Sequence, residues 1–134
     1  MNYFRAARNW GHVASRAVLY GTVGTAVGWI PPCRRFANWM MHLWCEGCCD
    51  ALHVRRQLLG EEHLDEARQG ILVANHLSSL DILVLGSFLR RDFRWLAKSE
   101  LFKVPFSGWY LSSAGHIRVY RGDDAGARNK SIRE

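Results

Sequence analysis

The chain has 134 residues, of which 49% are hydrophobic, and its formal net charge is +6. That length is enough for one modest domain with a real core, and the apolar fraction excludes a disordered chain. The excess of basic residues favours a partner that carries phosphate, either a nucleic acid or an anionic membrane. The arginines flank apolar stretches and form no long basic run, so we expect a membrane partner and no nucleic acid.

The first fifty residues predict a helical hairpin. An uncharged run, residues 17–30, lies between Arg16 and the Pro31-Pro32 pair. As a helix with a rise of about 1.5 Å per residue, the run is too short to cross a hydrocarbon core of about 30 Å. A second segment, residues 35–52, is rich in Trp and Met, which suits a membrane interface. We expect a membrane-associating hairpin over 1–50 that dips into one leaflet; the alternative is a pair of core helices.

The cysteines lie in this same part of the chain, at positions 33, 45, 48 and 49. A structural zinc site needs four ligands, usually as two separated pairs, and no second pair is present in the sequence. A disulfide framework is also not expected, since the rest of the chain contains no cysteine. We therefore predict small, reduced, buried residues in a helix.

From residue 51 onward the pattern predicts an α/β domain. Strand-like and helix-like segments alternate in a way that is typical of a layered α/β fold. Three parallel strands or so are thin for such a fold, so we expect residues 51–134 to be a truncated part of the domain. The predicted order is an exposed strand within 52–64 that turns at Gly60-Glu61, a polar connection over 64–70, a buried strand over 71–75, a largely buried helix over 78–91, a strand from Phe93 to Ala97, a loop and short helix over 102–115, a strand over 116–121, and a polar helix after Gly122.

The stretch GILVANHLSSLD, residues 70–81, places a histidine and an aspartate where a strand is expected to give way to a helix. His76 lies at the carboxyl end of that strand, where open α/β sheets bind ligands, and Asp81 lies in the first helical turn. A carboxylate bonded to one imidazole nitrogen makes the other nitrogen a base that can deprotonate an alcohol. The alternative is that Ser78-x-x-Asp81 is a capping box that only starts the helix.

The motifs around this pair resemble those of the 1-acylglycerol-3-phosphate acyltransferase family. NHLSSLD, residues 75–81, is similar to the family's N-H-x4-D signature. A second block follows at the family's distance, and the resemblance covers roughly residues 50–134. The elements of this block are Lys98-Ser99-Glu100-Leu101, Pro105-Phe106-Ser107-Gly108, and Gly115 through Arg121.

The resemblance implies direct acyl transfer to a lipid alcohol. His76 would be the general base that deprotonates the free hydroxyl of a lysophospholipid, and Asp81 would orient it and stabilise the imidazolium. The acyl donor would be a thioester on coenzyme A or acyl carrier protein, and no metal or bound cofactor is implied. The acceptor would be 1-acylglycerol-3-phosphate, or another lyso-lipid such as a lyso-ornithine lipid. Because thioester donors are cytoplasmic, we expect the cytoplasmic face of the inner membrane.

The resemblance also assigns substrate-binding positions. Asn75 would help to shape the turn beside the catalytic histidine. Arg121 would contact the acceptor's phosphate, for which a guanidinium is suited as a bidentate donor. Lys98 is either a second phosphate contact or a solvated residue at a strand end. Gly115 belongs to the same block and is expected to meet a backbone requirement.

The family's third block, of Glu-Gly-Thr-Arg type, and its proline-bearing fourth block have no counterpart in these residues. We therefore expect the 134 residues alone to be inactive or barely active in an assay of thioester consumption with lysophosphatidate. Robust turnover would contradict this expectation. A second hypothesis is a non-catalytic membrane-binding module that keeps the His–Asp pair only as structure.

Overall fold

The computed structural model describes residues 3–66 and 70–120, together with positions 126 and 129. The described residues are mostly helical. The elements in chain order are α1 (Tyr3–Gly28), a 3₁₀ turn (Pro31–Cys33), α2 (Arg34–Ala51), α3 (Glu61–Glu66), α4 (Leu80–Phe88), β1 (Leu96–Lys98), a second 3₁₀ turn (Ser99–Lys103), α5 (Ser107–Ser113) and β2 (Ile117–Val119).

The first two helices form the predicted hairpin. Helix α1 begins at Tyr3, well before the uncharged run, because the Ala- and Arg-rich residues upstream are also good helix formers. It ends where the proline pair begins, and the prolines occupy the first positions of the 3₁₀ turn, where a missing N–H costs little. Across residues 3–66 and 70–120, none of the helices has the length and apolar character needed to span a bilayer.

The core lies between the hairpin and α4. Its cluster of buried apolar side chains comes from two helices. Helix α2 contributes Met41, Cys45, Cys48 and Cys49, and α4 contributes Leu83. This confirms the prediction of small buried residues in a helix for three of the four cysteines. Cys33 is instead half-buried and lies in the 3₁₀ turn, and all four thiols are free. Burial raises the pKa of Cys48 to about 11, so the thiol stays protonated and unreactive at neutral pH.

A glycine on α4 allows the two helices to approach closely. A β-carbon at Gly86 would lie 2.6 Å from the sulfur of Cys45. The carbonyl of Gly86 also lies 3.0 Å from the Nδ1 atom of His42, a buried side chain of α2. A hydrogen bond therefore joins the two helices at this glycine.

Helix α4 was predicted to be largely buried, but only one of its faces is buried. Leu83 and Gly86 are buried, whereas Leu80 and Ile82 are exposed.

The two strands form a small parallel sheet. Leu96 pairs with Ile117 and Lys98 with Val119, and the connection between the strands runs through the second 3₁₀ turn and α5. Helix α5 packs on the hairpin, where the Tyr110 hydroxyl donates to the carbonyl of Ala37 at 3.1 Å. A parallel pair with a helical crossover is consistent with the predicted α/β class.

The predicted buried strand over 71–75 is wrong. These residues carry no strand, and the Ile71 and Val73 side chains are 86% and 90% exposed. Strand backbone needs a neighbour with which to exchange hydrogen bonds. Within the part of the chain that the structure describes, β1 and β2 pair with each other and nothing pairs with 71–75. An apolar run alone therefore does not make a strand here.

Two further predictions in the first half of the domain need correction. The exposed strand within 52–64 is not formed, since His53 has φ of +55° immediately after α2 and interrupts extended backbone. The turn at Gly60 is confirmed by its φ of +75°, but α3 follows it, so the polar connection predicted over 64–70 begins within a helix. Acidic Glu61 and Glu62 in the first turn of α3 favour that helix start.

Both remaining strands are shorter than predicted. β1 begins at Leu96 and not at Phe93, because the N–H of Trp95 donates to the Nδ1 atom of His116 at 3.1 Å and not to a strand carbonyl. β2 occupies only the middle of the predicted 116–121 segment. The strand's predicted last residue, Arg121, lies outside the described residues, and so does the polar helix predicted after Gly122 except for positions 126 and 129. The short helix within 102–115 is confirmed as α5.

The division into a hairpin over 1–50 and a domain over 51–134 stays a prediction. Helix α2 ends at Ala51, close to the proposed boundary. The core nonetheless spans that boundary, because α2 supplies its cysteines and α4 supplies Leu83. The hairpin therefore packs as part of the same hydrophobic core as the residues that follow it.

The close packing of α1 against α5 predicts a sharp difference between two glycines of α1. A β-carbon at Gly28 would lie 2.9 Å from the hydroxyl oxygen and 3.0 Å from the carbonyl carbon of Ser113, so Gly28→Ala must push the helices apart. We expect a loss of about 1–3 kcal/mol in the free energy of unfolding. The control is Gly21→Ala, which meets nothing within 4 Å and should stabilise α1 by up to about 1 kcal/mol. Chemical denaturation measures both, and equal midpoints would contradict the packing.

Candidate active site

The loop that leads into α4 brings the predicted catalytic pair together. The Nδ1 atom of His76 lies 3.1 Å from the Oδ2 atom of Asp81, within hydrogen-bonding distance. Five residues separate the pair, a step that does not align side chains within one helix. Contact is possible because His76 lies in the loop before the helix, while Asp81 lies in its first turn.

The same carboxylate oxygen also ties down the backbone of the loop. Oδ2 of Asp81 accepts hydrogen bonds from the backbone N–H groups of Leu77 at 2.7 Å and Ser78 at 2.8 Å. In return, the Ser78 hydroxyl accepts a hydrogen bond from the N–H of Leu80 at 3.2 Å. These reciprocal bonds resemble a capping box, with the difference that the serine hydroxyl accepts from the N–H two residues on and not three. Ser79 directly precedes the helix, but its side chain makes no capping hydrogen bond.

The two interpretations of Asp81 are therefore compatible. One carboxylate starts the helix and also bonds the imidazole. Hydrogen bonds from the backbone of Ser78 and Leu77, with a smaller contribution from His76, hold the pKa of Asp81 below its ordinary value. Asp81 is thus ionised at neutral pH and can act only as an acceptor.

The ionised carboxylate fixes the tautomer of the histidine. Because a carboxylate only accepts, Nδ1 of His76 must carry the proton of the hydrogen bond, and Nε2 of the neutral ring keeps its lone pair. The His76 side chain is 65% exposed, so a substrate can reach the ring. Chemically, this arrangement can take a proton from a hydroxyl group at Nε2 and stabilise the resulting imidazolium through Asp81.

Among the described residues, no hydrogen bond or ion pair joins the other predicted site residues to this pair. Asn75 is exposed in the same loop. Lys98 ends β1, where its ammonium lies 3.9 Å from the Glu100 carboxylate. Gly115 precedes β2 and has φ of +75°, a backbone reason for glycine. Since the strands are parallel, Lys98 and Gly115 lie at opposite ends of the sheet. Arg121 lies outside the described residues.

Asp81 is held by two backbone amides, and the sequence indicates only one of them. The N–H of Ser78 is expected from a capping box, whereas the N–H of Leu77 is not. The Ser78-x-x-Asp81 spacing was the available signal, since a capping box requires the acidic side chain to return to the backbone of the serine. The second amide, from Leu77, follows only from the path of the loop.

Comparison with known proteins identifies the family. The model of the acyltransferase family matches residues 55–133, a segment that contains both members of the pair. The chain belongs to the acyltransferase family. The resemblance to the 1-acylglycerol-3-phosphate acyltransferases that the motifs indicated is therefore confirmed, and no solved structure matches the chain.

Several curated relatives show the same likeness over part of the chain. A 1-acyl-sn-glycerol-3-phosphate acyltransferase of Helicobacter pylori is 39% identical over 42% of this chain and 24% of its own length. One from Saccharomyces cerevisiae is 39% identical over 44% of the chain and 19% of its own length. A lyso-ornithine lipid O-acyltransferase of Pseudomonas aeruginosa is 34% identical over 66% of the chain and 31% of its own length. The matches thus cover between 19% and 31% of the length of these relatives.

The hydrogen bonds to Asp81 predict how the loop responds to acid. Because the pKa of Asp81 is lowered in the folded state, the loop with its hydrogen bonds intact binds a proton less readily than the open loop does. The stabilisation is complete above the ordinary aspartate value, about 4, and is lost as the pH falls through the lowered value. Hydrogen exchange should show the Leu77 and Ser78 amides protected at pH 7 and losing protection in strong acid.

The matched substitution is Asp81→Ala, which should abolish protection of these two amides at every pH. Asp50→Ala is the control, because this exposed carboxylate pairs with Arg56 and lies outside the loop. Unchanged protection of Leu77 and Ser78 in the Asp81 variant would show that the carboxylate does not hold the loop.

Proposed function

We propose that the protein transfers a fatty acyl group from a thioester, carried by coenzyme A or acyl carrier protein, to the free hydroxyl of a lysophospholipid. The acceptor would be 1-acylglycerol-3-phosphate and the product phosphatidic acid. The observation that supports this most strongly is the hydrogen bond between His76 and Asp81 in a chain of the acyltransferase family. The names of the curated relatives support the class of acceptor.

The proposed reaction needs no nucleophile from the protein. Nε2 of His76 takes the proton of the acceptor's hydroxyl as that oxygen attacks the thioester carbonyl carbon. The carbon–sulfur bond then breaks, an ester is formed, and the departing thiolate takes the proton back from Nε2. Asp81 keeps the ring in the correct tautomer and offsets the positive charge that His76 carries between these two steps.

Charged residues of the second motif block would hold the acceptor. We propose that Arg121 binds its phosphate and that Lys98 provides a second positive charge near the carboxyl end of β1. The Lys98 ammonium is only loosely paired with Glu100, at 3.9 Å, which leaves it able to exchange that partner for a phosphate. Asn75 would shape the loop beside His76, and Gly115 would serve the backbone.

A second acceptor is suggested by the name of one relative. The lyso-ornithine lipid O-acyltransferase of Pseudomonas aeruginosa is 34% identical over 66% of the chain. Lyso-ornithine lipid has no phosphate, so Arg121 distinguishes the two acceptors. If lysophosphatidate is the substrate, Arg121→Ala should raise its KM strongly; if the ornithine lipid is the substrate, the change should have little effect.

Membrane association is part of the proposal. The hairpin exposes large apolar side chains along α1 and at its bend, among them Trp10, Leu19, Trp29 and Ile30. Arginines lie along the same helices. Exposed apolar and basic groups together suit the surface of an anionic bilayer, where the lipid acceptor resides. We propose the cytoplasmic face of the inner membrane, since thioester donors are cytoplasmic.

Loss of the imidazole tests the catalytic assignment. In the complete protein, His76→Ala should lower kcat/KM for acyl transfer by about 10²–10⁴-fold, the usual contribution of a general base. The measurement is release of free thiol from an acyl thioester with lysophosphatidate as acceptor. His63→Ala, an exposed histidine of α3 outside the site, is the control and should retain full activity.

The same variant separates the enzyme from a non-catalytic membrane-binding module. An enzyme should lose transfer while its binding to lipid vesicles stays at the level of the unsubstituted protein. Retained transfer in His76→Ala would refute the proposed mechanism.

A further inference from the structure

The turn before α5 contains an unusual backbone conformation. Phe106 has φ of +63° and ψ of −59°, in the region that favours glycine. A hydrogen bond of 2.8 Å from the N–H of Ser107 to the carbonyl of Pro105 closes a γ-turn with Phe106 at its centre. The γ-turn with a positive central φ is rare and strained. Glycine would adopt it without strain, yet this position carries a large aromatic side chain.

The surrounding residues hold the turn in place. The N–H of Gly108 donates to the carbonyl of Val104 at 2.7 Å. A β-carbon at Gly108 would overlap the backbone carbonyl of Phe102, so the chain is closely packed on itself at this point. Pro105 has its own φ fixed by its ring. Strain of this kind persists only where the neighbouring structure enforces it, and it is concentrated at functional sites.

The strained turn presents aromatic side chains on the surface. Phe106 is 58% exposed and Trp109 is 55% exposed. Their ring centroids lie 5.1 Å apart, so the two rings support each other. Exposed Leu101 and Val104 lie in the same short stretch of chain. We call these four residues the aromatic turn surface.

Charges around this surface indicate the partner that it fits. Lys98 and Lys103 lie on the segment that leads into the turn, and the Arg118 guanidinium lies 4.7 Å from the centre of the Phe102 ring. Glu100 is the acidic residue of the same segment. Three positively charged side chains and one negatively charged side chain give this region a net positive charge, which favours a partner with an anionic surface. Aromatic side chains beside lysines are typical of elements that enter a lipid headgroup region.

We propose that the aromatic turn surface inserts into the interface of an anionic bilayer. Phe106 and Trp109 enter the boundary between headgroups and acyl chains, and Lys103 contacts lipid phosphates. The strained γ-turn fixes Phe106 in the outward position that insertion requires. This extends the membrane association of the proposed function by a contact outside the hairpin, and it does not depend on the chemistry at His76.

Vesicle binding by the 134-residue chain tests the proposal. The probe is a vesicle of phosphatidylcholine with about a third phosphatidylglycerol, and the measurement is co-sedimentation. Phe106→Gly removes the side chain and relieves the strain, so it should fold at least as stably yet partition about tenfold more weakly, as expected for burial of one aromatic side chain. Leu59→Gly is the matched control: it removes another exposed apolar side chain away from the turn and should bind normally.

Tryptophan fluorescence provides a second measurement that does not depend on affinity. Brominated lipids should quench part of the emission of the bound chain. Trp109→Phe keeps an aromatic ring but should make the quenched part smaller, while exposed hairpin tryptophans such as Trp10 and Trp29 account for the remainder. His76→Ala should bind vesicles as well as the unsubstituted chain, so failure of the acyl-transfer mechanism leaves this inference standing.

Three results would overturn the proposal. Phe106→Gly could partition as well as the unsubstituted chain, or Trp109→Phe could leave the quenching unchanged. Alternatively, light scattering could show that Phe106→Gly dissociates an oligomer without any effect on vesicle binding. The last result would assign the surface to a second copy of the chain.

Discussion

A single carboxylate oxygen, Oδ2 of Asp81, organises the loop that carries His76. It accepts two backbone N–H groups and one imidazole N–H at distances of 2.7 to 3.1 Å. Three donors on one oxygen keep the carboxylate ionised, and the ionised carboxylate fixes which ring nitrogen carries the proton. The start of α4 and the proton-accepting face of His76 are thus consequences of the same set of hydrogen bonds.

The position of that carboxylate depends in turn on how α4 packs. The helix is only nine residues long, too short to be stable by itself. It is held against α2 by the close approach of Gly86 to Cys45 and by Leu83 in the core. The hairpin therefore does more than offer an apolar surface, because its second helix fixes the element from which Asp81 projects. The proposed membrane contact and the candidate site therefore depend on the same helix.

The apolar side chains of this chain fall into two groups, those that are buried in the core and those that are exposed on the surface. The cysteines of α2 fill a core in which larger side chains would prevent the approach of α4. Phe106 and Trp109 remain outside the core, and the first of them does so at the cost of a strained backbone. A large aromatic residue held outward by strain is difficult to explain by packing, which is why the turn points to a partner outside the chain.

Much of this organisation follows from the sequence. The proline pair ends α1 because it cannot continue a helix, and the Ser78-x-x-Asp81 spacing marks the start of α4 through local hydrogen bonds. The ordered motifs identified the family. Local patterns of this kind depend on residues only a few positions apart, so the structures that they form can be predicted without knowledge of the fold.

Tertiary structure decided what depends on distant partners. The apolar run 71–75 has the local features of a strand. A strand forms only where a neighbouring strand can pair with it, and among the described residues only β1 and β2 pair. The start of β1 at Leu96 was decided by the hydrogen bond from the N–H of Trp95 to His116, a side chain 21 residues further along the chain. The positive φ of Phe106 and the amide of Leu77 on Asp81 likewise depend on the path of the backbone. No pattern of side-chain types encodes that path.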